Sequence, residues 1–236
     1  MVNTAYLFPG QGAQYPGMGK DLWEHFSCVK ELFSEASEVC SRDFKKLLFD
    51  SDEQELKQTV NTQTAITLMS ASVREVLGQL DLHSSCSAGF SLGEMSALYD
   101  AGGISFEQLM HLTQRRAEIM DRCSRAYEQV KGGPAMAAVI GLSFTEVRDI
   151  ISSSGVEQVY AANENGLRQV TVSGLSEGIN AVKPLLMDRG ARRVIPLRVS
   201  GPFHTPLMAE AAEDFARELQ QVAWKPLTKP CFSNVT

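Results

Sequence analysis

The sequence predicts an α/β fold with a largely parallel sheet and a smaller α/β module inserted within it. Three observations predict this. Strand-like and helix-like segments alternate along the 236 residues, the pattern of parallel strands joined by helical crossovers. Between residues 135 and 199 the order becomes β-α-β-β-α-β, that of a ferredoxin-like split βαβ module. A glycine-flanked serine in "GFSLGEMSAL" stands between a strand-like and a helix-like segment, where a chain must bend sharply.

Taken in order, "TAYLF" reads as a first buried strand. It runs into "PGQGAQYPGMG", a loop of four glycines and two prolines, before a helix near Asp21. Helical segments follow around residues 28 to 40 and 63 to 80, and "HSSCSAG" is the strand leading to Ser91, weak by propensity. Beyond the serine, Leu92, Met95 and Tyr99 share one helical face, and Gly102-Gly103 stops the helix. Ser105 and Gln108 form a capping box for the next helix, whose apolar stripe is Leu109, Leu112, Ile119, Met120 and Cys123. In the inserted module "AMAAVI" is a strand, and Ser143 with Glu146 caps a helix ending at Gly155. "QVYAA" and "RQVTVS" form a hairpin turning across Asn165-Gly166. A helix from Ser176 to Arg189, weakened by Pro184 in its middle, leads into the strand "RRVIPLRV". Thr205 as cap and Pro206 at the first helical position start a last helix with the stripe Met208, Ala212, Phe215, Leu219 and Val222. The domains expected are a core of residues 1–130 and 199–236 with a small subdomain of residues 131–198.

Composition narrows the function. Hydrophobic residues make up 44% of the chain, enough for a sizeable core. The net charge of -6 comes with no Lys/Arg run, which points away from nucleic acid and anionic membrane surfaces. Five scattered cysteines without a C-x-x-C pair point to a reducing cytoplasm and no structural metal. The N-terminus lacks a basic-then-apolar signal, and the longest apolar run, "AMAAVIGL", is far too short to span a membrane. A soluble cytoplasmic protein follows.

In a parallel sheet the loops after strands gather at the carboxyl edge, where ligands bind. Residues 9–19, Ser91 and His204 are all read as members of such loops. A serine hydroxyl becomes a nucleophile when a base takes its proton, and histidine is the usual provider. His25 and His111 lie within helical patterns and His83 precedes a strand, which leaves His204. Arg116 falls on the buried stripe of its helix whereas Arg115 points off it. A buried guanidinium needs an anion: either a structural Asp or Glu, or a substrate carboxylate held by its planar fork. The glycine loop matches neither G-x-x-x-x-G-K-[ST] nor G-x-G-x-x-G. Its amides, with that of Leu92, can instead stabilise an oxyanion.

The strings "FPGQGAQYPGMG", "TQTA", "GFSLGE", "RRAEIM" and "SGPFHTPLM", in this order, together with the terminal "SNVT", resemble the malonyl-CoA:acyl carrier protein transacylase family, acyltransferases of fatty-acid and polyketide synthesis. The resemblance implies an α/β-hydrolase-like core with a ferredoxin-like small subdomain. It implies Ser91 as the acyl-carrying serine, His204 as its base and Arg116 as the carboxylate-binding residue. Gln11 and Leu92 become the oxyanion amides, Gln63 lines the site, and Phe203 is the bulky residue that leaves little room for a methyl branch. No cofactor is permanently bound: a CoA thioester, malonyl-CoA, is the donor and the phosphopantetheine thiol of acyl carrier protein the acceptor, in a monomeric enzyme. Lys183, Arg189, Arg192 and Arg193 are candidates for a basic rim facing these acidic partners. Phe90 replaces the family's usual histidine and Thr64 its usual proline. The chain stops at Thr236, where the family continues into segments that orient the catalytic histidine. Polyketide assembly and malonate decarboxylation use the same architecture. An esterase or thioesterase needs a triad acid, for which Asp188 is nearest but lies before its strand, and a noncatalytic carrier-protein-binding module is the third class.

Overall fold

The computed structural model describes residues 4–130, 132–197, 199 and 201–235. Arg198 at the end of the predicted strand, Ser200 of "SGPFHTPLM" and Thr236 of "SNVT" lie outside the described residues. The fold is mixed α/β, with one parallel and one antiparallel sheet. Two compact units divide the chain, Met1–Glu118 with Arg217–Thr236, and Ile119–Ala216.

The first unit is built on strands β1 (Ala5–Phe8), β2 (Cys86–Gly89) and β7 (Cys231–Phe232), in the order β1-β2-β7, with both neighbouring pairs parallel. The poor strand former "CSAG" occupies the centre of this sheet because a helix crosses close over its end. A Cβ at Gly89 would lie 1.9 Å from the carbonyl carbon of Gly93. Steric room, not propensity, chooses the residues here.

The helices of this unit follow the sequence reading with two additions. Phe44–Phe49 and Glu53–Leu56 are short helices capped by Asp43 and Asp52, whose carboxylates accept the Lys46 amide at 2.9 Å and the Glu55 amide at 2.8 Å. The helix read from residue 63 begins at Thr59 and runs to Gln79. Its first turns bury Thr59, Asn61, Thr62, Gln63 and Thr64, so no apolar stripe announces its start. Ser105 and Gln108 exchange the hydrogen bonds of a capping box ahead of helix Phe106–Arg125.

The second unit carries strands β3 (Pro134–Ile140), β4 (Val159–Gly166), β5 (Gln169–Leu175) and β6 (Arg193–Leu197) in the order β4-β5-β3-β6, every neighbouring pair antiparallel. Helices Phe144–Ser154 and Ser176–Asp188 bury Val147, Ile150, Ile151, Ile179, Val182 and Leu186 in one cluster with Val139, Val170 and Val172. The Ser143 and Glu146 capping box is present, and Gly155 closes that helix at φ 68 in the left-handed region. Pro184 is accommodated on the exposed side of an unbroken helix, and Pro196 sits in β6, an edge strand, where a missing amide costs least.

Three readings are corrected. The hairpin turns at Leu167-Arg168, with Asn165 and Gly166 still in β4, because register shifts at Ala161/Asn163 and Glu164/Gly166 move the turn along the strand. Ala211, not Ala212, is buried in the last helix; a 3₁₀ turn at Pro206–Met208 precedes Ala209–Gln220, and its tighter winding advances the phase. The strand before His204, β6, belongs to the antiparallel sheet, so His204 is not in a post-strand loop of the parallel sheet. The third such loop follows β7 instead, at residues 233–235. No helix among the described residues is long and apolar enough to cross a membrane.

Candidate active site

Ser91 stands at the bend between β2 and helix Gly93–Asp100 with φ 51, in the left-handed region that side chains other than glycine avoid. The flanking glycines make this bend possible. At Gly93 a Cβ would lie 2.2 Å from the Phe8 carbonyl oxygen, and at Gly89 it would strike the backbone of residues 93 and 94. Strand, bend and helix therefore pack backbone to backbone, and the serine stands at the turn between them. The Ser91 amide donates to Asn234 Oδ1 at 2.7 Å, and Asn234 Nδ2 donates to the Gly89 carbonyl at 2.5 Å.

Arg116 lies beside this serine. Its Nη2 donates to Ser91 Oγ at 3.3 Å and its Nη1 to Gln63 Oε1 at 2.6 Å. Gln63 is fully buried, so the amide oxygen fixes the guanidinium from within the fold. Arg115, one residue earlier on the helix, pairs with Glu118 and Glu218. Among the described residues no carboxylate pairs with Arg116. Burial pushes its pKa down to about 10, opposed by the Glu94 carboxylate, so it remains a cation at neutral pH. A fixed, desolvated cation next to a strained serine can hold the free acid of a substrate whose other end reaches the hydroxyl.

Two main-chain amides near the bend are free to donate. Among the described residues neither the Leu92 amide, at the start of helix Gly93–Asp100, nor the Gln11 amide, in the glycine loop after β1, has an acceptor. Next to them Gln14 Oε1 accepts the Gly12 amide at 2.9 Å, and Gly12 has φ 110. The loop approaches the bend closely, since a Cβ at Gly10 would lie 2.8 Å from the Phe90 ring and from its carbonyl. Phe90 is half exposed against that glycine, and the Thr64 hydroxyl donates back to its own helix at Val60 and Asn61. Both replacements are thus satisfied locally.

The remaining candidates lie in the second unit. His204 is exposed, in a turn at φ 60. Phe203 is buried, in a cluster with Ile119, Cys123, Met136, Met208 and Ala211, and its ring fills the space a side chain at Gly201 would need. Lys183, Arg189, Arg192 and Arg193 are exposed, as is Asp188 at the end of its helix. No group of three or more His, Cys, Asp or Glu among the described residues could hold a metal ion.

Sequence reasoning missed Asn234. Strand β7 spans only Cys231–Phe232, too short for any periodicity, and the contacts of Asn234 cross more than 140 positions of the chain. The signal available was its place directly after a terminal strand.

The model of the acyl transferase domain family matches residues 5–236. A malonyl CoA-acyl carrier protein transacylase of Bacillus subtilis is 38% identical over 239 residues, which cover all of this chain and 74% of that protein. An acyl carrier protein S-malonyltransferase from Vibrio cholerae superposes with a TM-score of 0.90 at 36% identity, over 98% of this chain and 74% of its own. A malonyl-transacylase solved in complex with its type II PKS acyl-carrier protein gives 0.92 at 33% identity, covering 99% and 75%. This chain spans about three quarters of the length of these relatives. Matched along essentially its whole length by the family model and by these proteins, it belongs to the acyl transferase domain family.

Proposed function

We propose that the protein transfers a malonyl group from malonyl-CoA to the phosphopantetheine thiol of acyl carrier protein, through a malonyl ester on Ser91. The observation that carries this reading is the pairing of a strained serine with a guanidinium that no carboxylate among the described residues pairs with. The names of the relatives support the substrate pair, and the α/β-hydrolase-like and ferredoxin-like assignments of the two units belong to the same reading.

The chemistry balances in two half-reactions. His204 accepts the Ser91 proton as Oγ attacks the thioester carbonyl, whose oxyanion rests on the Leu92 and Gln11 amides. Collapse breaks the C–S bond, and CoA leaves as the thiol after taking the proton from His204. The carrier-protein thiol then attacks the ester, gives its proton to His204, and Ser91 recovers it on leaving. Arg116 holds the malonyl carboxylate in both steps, and Gln63 holds Arg116. Phe203 narrows the acyl pocket, and Lys183, Arg189, Arg192 and Arg193 attract the acidic carrier protein, so transfer slows as ionic strength rises. The protein works as a monomer without a resident cofactor.

Incubation with malonyl-CoA followed by intact-mass measurement tests the reading. A malonyl adduct that is lost in Ser91→Ala and discharged by holo acyl carrier protein is the expected result. Steady release of free malonate would indicate a hydrolase, and an unmodified mass a binding module.

A further inference from the structure

We propose that Asn234 is a positioning residue for Ser91: its carboxamide clamps the strained bend and leaves Leu92 as the elbow amide free to meet an oxyanion. The inference rests on the reading of Ser91 as the acyl carrier. One side chain touches both flanks of the bend. Oδ1 accepts the Ser91 amide at 2.7 Å and Nδ2 donates to the Gly89 carbonyl at 2.5 Å, so the carboxamide bridges the residues on either side of Phe90. The orientation is fixed by chemistry, because an amide can only donate and a carbonyl only accept. The residue is itself anchored. Its own amide donates to Glu94 Oε1 at 2.7 Å, and Ser233 Oγ donates to the same oxygen at 3.1 Å, which ties residues 233 and 234 to the first turn of the helix that follows the serine.

Two consequences follow for the reaction. A serine in the left-handed region is strained and persists only where its surroundings fix it. The carboxamide supplies bonds that exist only in that conformation. Of the two amides at the bend, that of Ser91 is occupied by Asn234 and that of Leu92 has no acceptor among the described residues. Without the carboxamide the Ser91 amide is unpaired, the bend relaxes, and both the hydroxyl and the Leu92 amide shift from where the thioester needs them.

The test is single-turnover acylation of the full chain by malonyl-CoA, read by intact mass, in the parent, Asn234→Ala and Asn234→Asp. Thermal unfolding is recorded alongside, and malonyl-CoA affinity is measured in a Ser91→Ala background. Asn234→Ala is expected to slow acylation about 100-fold while affinity stays nearly unchanged, the signature of a displaced reacting group. Asn234→Asp gives a readout that fold maintenance alone would not. When neutral, the introduced carboxyl can still donate to Gly89 and accept from Ser91; when ionised it can only accept. The ratio of its rate to the parent's is therefore expected to climb as pH falls from about 6 to about 4, through the ordinary carboxylate range. This ratio decides the matter even if the alanine variant fails to fold. Parent-like acylation in both variants, or a pH-independent ratio with losses that track unfolding, would overturn the proposal. An unacylated parent would overturn the reading of Ser91 itself.

Discussion

Asp100, buried, and Arg116, partly buried, are two charges within the same unit, and the fold treats them oppositely. Asp100 closes helix Gly93–Asp100 with its side chain 1% exposed. It accepts Arg74 Nε at 3.2 Å and Ser84 Oγ at 2.6 Å, pairs with Lys229 at 3.0 Å and takes a further bond from the Ser87 hydroxyl. Burial alone would raise its pKa, but the bonds from Ser84, Ser87, Lys229 and Arg74 outweigh burial and hold it below the ordinary carboxylate value. Among the described residues Arg116 donates to neutral oxygens alone, those of Gln63 and Ser91, and burial lowers its pKa. A charge that the fold neutralises completely is there for the fold. A charge held in place but left without its counterion is there for something that arrives.

The contrast breaks if Asp100 proves dispensable. Asp100→Ala is expected to cost about 3–5 kcal/mol in denaturant unfolding, because Arg74 and Lys229 lose their shared anion, while the folded protein keeps its acylation rate. Removing Arg116 is expected to do the reverse for stability. Arg116→Leu should gain on the order of 1 kcal/mol, since a desolvated cation is replaced by an apolar side chain.

The two groups also separate in pH. Asp100 has a lower pKa folded than unfolded, so its contribution is complete above about 3.9, the unfolded value, and is lost as pH falls through the folded one. Acid unfolding of Asp100→Asn should lose that slope. Arg116 also has a lowered pKa, but as a base: its charged form penalises the fold at neutral pH, and the penalty lifts as pH rises above about 10 toward the ordinary guanidinium value. The smallest effect is expected at Phe90, half exposed beside the bend, where Phe90→His should change stability by less than about 0.5 kcal/mol.

The sequence made Ser91 legible because a bend this tight needs glycine on both sides, and Gly89 and Gly93 are conspicuous. Helical phase separated Arg116 from Arg115, and in the structure Arg115 pairs with Glu118 and Glu218 while Arg116 meets the neutral oxygens of Gln63 and Ser91. Capping boxes at Ser105 and Ser143 marked helix starts because their logic is local. What escaped was long-range or phase-shifting. The bulges in β4 moved a turn that the dipeptide Asn165-Gly166 advertised, and a 3₁₀ turn rotated the last helix. Which sheet receives β6 is decided by pairing partners far away in the chain, and so the loop holding His204 was assigned to the wrong sheet. Asn234 was hidden for the same reason, its two bonds to the bend and one to the following helix reaching back 140 or more positions in the chain.

The central claim, that Arg116 holds a carboxylate for a reaction at Ser91, is tested most directly by the ratio of malonyl to acetyl loading on Ser91 in the parent and in Arg116→Ala. Malonyl loading is expected to fall about 100- to 1000-fold, the loss of a charge-assisted bidentate pair in a desolvated site, with acetyl loading nearly unchanged. Equal losses for the two acyl groups would contradict the account.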